Sequence, residues 1–154
     1  MKLRKLLKYG SVSLIIALII TGCQDKAPKE VKMFDEKMEK TIAIHDSVMP
    51  KMGEMSNLMK KLEQKKDSLS ETKEVQAAKQ DLEQSHDQMM TWMKDLSNTF
   101  TAEQINQGIK TRDVDSLKKA LKELDKLKNE AESMQRKINS SIEQAEELLS
   151  TENK

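Results

Sequence analysis

Apolar residues recur at steps of three and four through most of this chain. Between Val31 and Leu62 they fall at Phe34, Met38, Ile42, Val48, Met52, Met55, Met59 and Leu62, with His45 taking one place in the series. Such spacing puts every member on one face of a helix and has the form of a coiled-coil seam. Pro50 interrupts the series and Gly53 follows it. Proline lacks the N–H that the ladder needs and its ring crowds the preceding turn, so a kink or short break is expected near Met49.

A second stripe runs through Val75, Ala78, Leu82, Ser85, Met89, Trp92 or Met93, Leu96 and Phe100. Ser68-Leu69-Ser70-Glu71 precedes it with the spacing of a capping box, which predicts a tight helical hairpin turning at Asp67 to Ser70. Thr101-Ala102-Glu103-Gln104 has the same form and predicts a short helix that Gly108 ends. The third stripe takes in Val114, Leu117, Leu121, Leu124, Leu127, Ala131, Met134, Ile138, Ile142, Ala145 and Leu149, with Asp113 or Asp115 as its cap. The expected fold is all-α: three long helices and a short connector in an elongated antiparallel hairpin or three-helix bundle with coiled-coil-like packing. The third helix alone spans ~54 Å at 1.5 Å per residue.

The first 22 residues follow a different rule. Lys2, Arg4, Lys5 and Lys8 precede an apolar run around Val12 to Ile20, too short for a membrane span and typical of a secretory signal. The run ends in Ile20-Thr21-Gly22-Cys23, which resembles the lipobox of bacterial lipoproteins. That resemblance implies diacylglycerol on the Cys23 thiol, cleavage before Cys23, and acylation of the new amino terminus, palmitate being a typical chain. Each buried methylene contributes about 0.8 kcal/mol, so two or three chains anchor a protein stably. Residues 1–22 are thus read as signal peptide, 23–30 as a lipidated tether and 31–150 as the helical domain. Residues after the cysteine do not choose between inner and outer membrane, so the expected place is the bacterial cell envelope, facing periplasm or exterior.

Composition narrows the field. The chain has 154 residues, 3% of them aromatic, with four Gly, two Pro and one Cys. One cysteine forms no intramolecular disulfide and no thiolate zinc cluster, and four glycines leave little for a phosphate-binding loop. Without residues 1–22 there remain 132 residues with 23 Lys+Arg against 26 Asp+Glu, a net charge near −3 that does not suit nucleic acid. No nucleophile with a neighbouring base and no carboxylate pair in a cleft-like setting emerges, so the expectation is not an enzyme. Membrane contact through the lipid, envelope proteins or self-association are the expected partners.

One constellation bears on chemistry. His45-Asp46-Ser47-Val48-Met49 and His86-Asp87-Gln88-Met89-Met90 share a pattern in which His and the Met four residues later occupy one helix face. A hairpin at Asp67 to Ser70 sets His45 opposite Met90 to Met93, and Met49 opposite His86 to Met90. Imidazole and thioether are neutral donors suited to Cu(I), so His45, Met49, Met52, His86, Met90 and Met93 are the candidate metal ligands. Asp46 and Asp87 follow each His as candidate acceptors for the imidazole N–H, but adjacent helical residues diverge by about 100°, so solvent exposure is expected of them. Methionine also serves ordinary packing. Against that stands segregation: seven of the ten methionines after residue 22 lie between Met49 and Met93, whereas the third stripe relies on Leu and Ile. A Met-rich face also re-packs around varied hydrophobic partners.

The stretch from His45 to Met55, with Met89-Met90-Thr91-Trp92-Met93 and the lipobox, is similar to a family of small helical bacterial lipoproteins often labelled "viral A-type inclusion protein". The resemblance implies a helical lipoprotein and no particular activity. Thr101-Ala102-Glu103-Gln104 also resembles the Thr-x-x-Gln signature of Spy-type periplasmic chaperones. Three functional expectations follow: a lipid-anchored, non-catalytic binding or structural module, a soft-metal binding protein, and a Spy-like chaperone.

Overall fold

A computed structural model describes residues 27–64 and 73–151. The lipobox (Ile20, Thr21, Gly22, Cys23) and the hairpin turn at Asp67 to Ser70 lie outside these residues. Among the described residues there are five helices and no strand: α1 Lys29–Val48, α2 Lys51–Gln64, α3 Lys73–Thr99, α4 Ala102–Gln107 and α5 Val114–Ser150. None of these helices is long and apolar enough to cross a membrane. The all-α bundle expected from the stripes is what forms. Helix α1 begins at Lys29, so the last two residues of the expected tether are already helical.

Helix α5 is the spine. At 37 residues it is about 55 Å long, and α1, α2 and α3 all pack along it. Side-chain bonds fix the directions. Lys37 pairs with Asp125, Gln135 Nε2 donates to Ser47 Oγ at 2.8 Å, and Lys51 Nζ donates to Asn139 Oδ1 at 2.6 Å. All three pairs are 88 residues apart, so α1 and α2 run parallel to α5. Trp92 Nε1 donates to the Leu127 carbonyl at 2.9 Å, and Lys137 pairs with Asp81, so α3 runs antiparallel to it. The path is up, down and up, with α4 at the lower end.

The break falls where Pro50 puts it. Helix α1 stops at Val48, Met49 N–H still donates to the His45 carbonyl at 3.0 Å, and Met52 N–H closes a tight turn on the Met49 carbonyl at 3.2 Å. Proline supplies no donor between them. The 88-residue offset to α5 is the same on both sides of the break, so α2 continues the line of α1.

The core follows the stripes closely. Phe34, Met38, Val48, Met55 and Leu62 are buried from the first, the second from Val75 to Phe100 is buried with Trp92 inside, and the third is buried from Leu117 to Ala145. Val114 is 40% exposed because it opens α5 beyond the reach of its neighbours. Thr41, Leu58, Ile109 and Ser141 are buried although no stripe included them. At the lower end Phe34 meets Phe100 edge to face, ring centres 5.2 Å apart.

Helix α4 carries the expected capping box: Gln104 N–H donates to Thr101 Oγ1 at 3.2 Å and Thr101 N–H to Gln104 Oε1 at 2.9 Å. Gly108 follows with φ +84° and ψ 173°, a conformation essentially reserved for glycine. Asp113 caps α5 by accepting the Ser116 N–H at 2.9 Å.

Candidate functional site

The His/Met residues lie where the α1–α2 arm faces α3. His45 sits on the last turn of α1 and its ring stacks on Trp92, centres 5.6 Å apart and planes 22° from parallel. This agrees with the expected placement of His45 opposite Met90 to Met93. Trp92 is buried and its indole is pinned by the bond to Leu127, so the imidazole rests on a fixed platform.

His45 Nδ1 is 3.0 Å from Asp46 Oδ1. A carboxylate only accepts, so in the neutral ring the proton sits on Nδ1 and Nε2 presents its lone pair. His45 Nε2 is buried and has no hydrogen-bond partner, the one such side-chain atom among the described residues. Asp46 and Asp87 are both exposed, as expected, and Asp46 nonetheless makes the contact with the imidazole. Rotation about its side-chain bonds brings Asp46 back to the preceding ring, whereas His86 Nδ1 lies 3.6 Å from Asp87 Oδ1, beyond hydrogen-bond reach. The two rings differ in setting: the His45 side chain is 16% exposed and that of His86 42%.

The methionines divide into two groups. Met38, Met55, Met89 and Met134 fill the core, with Met52 and Met59 packed half-buried against it. Met49, Met90 and Met93 are 44%, 54% and 38% exposed, as is Met33 at 48%, which lies in the first turns of α1 away from this site. Packing thus accounts for the first group and leaves the second unexplained. On α3, His86, Met90 and Met93 share a face by their spacing. Across from it, a groove of about 280 Å³ brings His86, Glu83 and Asp87 beside Ser56 and Met59 of α2.

Lys79 and Glu63, 3.3 Å apart, set the α2–α3 register with residue numbers summing to 142. At the end of α1 the stack of His45 on Trp92 sums to 137, so the two ends of the arm meet α3 a few residues out of phase with each other. His86 lies with Ser56 and Met59, about two turns beyond Met49 along the arm, so within the range His86 to Met90 expected opposite Met49 it is the His86 end that lies elsewhere. The sequence reading also missed Trp92 as part of the site; its alternation with Met93 in the stripe gave no sign of a stacking role.

Among the described residues no three His, Cys, Asp or Glu side chains converge as a metal-binding group. Any cation at His45 would draw its other donors from sulfur, carbonyl oxygen or water. A second groove, about 540 Å³, lies between α1 and α4, with Asp35, Glu39 and Asp46 on its α1 wall. No family model, curated protein or solved structure matches this chain.

Proposed function

We propose that this chain is a lipid-anchored, non-catalytic binding module of the bacterial cell envelope, with the methionine-bearing side of the α1–α2 arm and α3 as its working face. The observation that carries the reading is the exposure of Met49, Met90 and Met93 beside an otherwise well-buried core. Unbranched thioethers held at the surface re-pack around hydrophobic partners at little cost in strain. The lipobox supplies the address: Cys23, acylated, holds the bundle at the inner or outer membrane, facing periplasm or exterior.

The same exposed methionines favour a Spy-like chaperone as the specific form of this module, one that shields apolar segments of unfolded clients. Thr101 and Gln104 add little to that, since their side chains are engaged in the capping box. A soft-metal role is the other form.

Two measurements on the full chain test the reading. In bacteria fed labelled palmitate the protein incorporates label and stays with membranes, and Cys23→Ala loses both; an unlabelled wild type overturns the anchor. The full chain in detergent suppresses aggregation of an unfolding client without metal, and the Met49→Gln, Met90→Gln, Met93→Gln variant loses that effect. Equal performance of variant and wild type removes the methionine face from the function.

A further inference from the structure

We propose that His45 Nε2 anchors a site for a soft monovalent cation of the Cu(I) class, completed by the thioethers of Met49 and Met93. The inference rests on the reading of this side as the binding face and names a ligand for it.

The first ground is an unmatched lone pair. With its proton held toward Asp46, His45 offers a buried acceptor at Nε2 that no protein donor meets. A buried polar atom without a partner costs free energy in a native structure and calls for a reason. A Lewis acid removes that cost. Fixing of the ring tautomer by a carboxylate on the far nitrogen is also how metal-binding imidazoles are commonly held, and Asp46 does that here.

The second ground is the donors available. Met49 is one helical turn beyond His45 on the same face, as its N–H bond to the His45 carbonyl shows, and at 44% exposure its sulfur is not committed to the core. Met93 adjoins the residue on which His45 stacks, and its exposure of 38% leaves it similarly uncommitted. An imidazole with two thioethers is a neutral, soft donor set, which favours Cu(I) over the harder cations that seek carboxylates. Asp46 already faces Nδ1 and contributes no oxygen to the Nε2 side. His86 provides the contrast within the molecule. It has the same carboxylate neighbour, but its ring is open to water that can satisfy Nε2.

Trp92 makes the proposal readable. It is the chain's one tryptophan and it stacks on His45, so its emission reports on a heavy cation bound there. The full chain in detergent is titrated anaerobically with Cu(I) against a competing chelator, with Ag(I) as the redox-inert counterpart and Zn(II) as the borderline comparison. Wild type takes one equivalent of either soft ion and its tryptophan emission is quenched. His45→Gln lowers affinity by about tenfold or more and abolishes the quenching. Met49→Leu weakens binding while leaving far-ultraviolet circular dichroism unchanged, which keeps the test decisive if His45→Gln loosens the fold. His86→Gln binds as wild type does.

The proposal falls if His45→Gln and wild type compete equally, if quenching survives in His45→Gln, or if Zn(II) binds as tightly as Cu(I). In each of those cases palmitate labelling and metal-free client protection are untouched, so failure of the cation site is distinguishable from failure of the binding module.

Discussion

The hydroxyls of Ser85 and Ser141 meet 2.7 Å apart in the middle of the α3–α5 contact, both residues buried. Each also reaches a carbonyl one turn back on its own helix, Asp81 for Ser85 and Lys137 for Ser141, both at 2.7 Å. Either single alanine therefore leaves the other hydroxyl with a backbone acceptor and strands no donor. Ser85→Ala is expected to cost about 1 kcal/mol. The Ser85→Ala, Ser141→Ala double variant costs less than the two singles together, since the shared bond is lost once. Urea denaturation of the four proteins measures both quantities.

Two glycines give opposite outcomes on becoming alanine. At Gly108 the backbone is left-handed, and an added Cβ would lie 2.5 Å from the Asp35 carboxylate oxygen that accepts the Ile109 N–H at 3.2 Å. Gly108→Ala is expected to lose about 2 kcal/mol or more, from strain together with damage to that bond. Gly53 sits inside α2 with nothing within 4 Å of an added Cβ, so Gly53→Ala gains roughly 0.5–1 kcal/mol by helix propensity. Thermal denaturation of both variants moves Tm in opposite directions.

The cap of α5 sets a pH dependence. The side-chain and backbone bonds with Ser116 hold the Asp113 carboxyl below its ordinary value of 3.8. A carboxyl whose pKa is lower folded than unfolded contributes stability that is present above the unfolded value and lost as pH falls through the folded one. Fraying of the first turn of α5 is thus expected only in acid, below the usual carboxylate range. The Ser116 amide exchanges faster there in wild type; Asp113→Asn, which keeps a cap without a titrating group, shows no such change over the same range.

Phe34 is fully buried and its ring meets that of Phe100 at 73°. Phe34→Ala removes both the burial and the edge-to-face contact where α1 closes the lower end. The expected loss is about 3–5 kcal/mol, read from the denaturation midpoint at unchanged slope. A loss below 1 kcal/mol would mean that this end of α1 is not docked in solution.

The stripes made most of the fold legible because a seam of steps three and four has one periodic meaning. What periodicity missed are places where identity and depth part company. Thr41 and Ser141 are buried because each hydroxyl bonds its own helix carbonyl one turn back, which hides their polarity from the solvent and their burial from the pattern. Leu58 shares the core face of α2 with Met55 and Leu62, and lies off the first stripe because that stripe was continued through Met59. The candidate site was half legible. Met49 and Met90 stand one place off the stripes at Val48 and Met89, so their exposure was legible, whereas Met93 competed with Trp92 for one place in the seam. The unmatched nitrogen of His45 depends on a rotamer and on Trp92 some 47 positions along the chain, and no local pattern carries that.

The 88-residue offset between the α1–α2 arm and α5 has a consequence for the order of assembly. Joining Trp92 to Leu127 closes a segment of 35 residues, whereas joining Ser47 to Gln135 closes one of 88. Loop entropy makes the longer closure roughly 0.8 kcal/mol less favourable before any contact is gained. The arm has a shorter route onto α3, where Glu63 to Lys79 closes only 16 residues, so its contacts with α5 are the last to form and the first to open. His45 on Trp92 closes 47 residues, between those two, and a cation gripped there would clasp the break at Pro50 to α3 while α5 is still free to come and go.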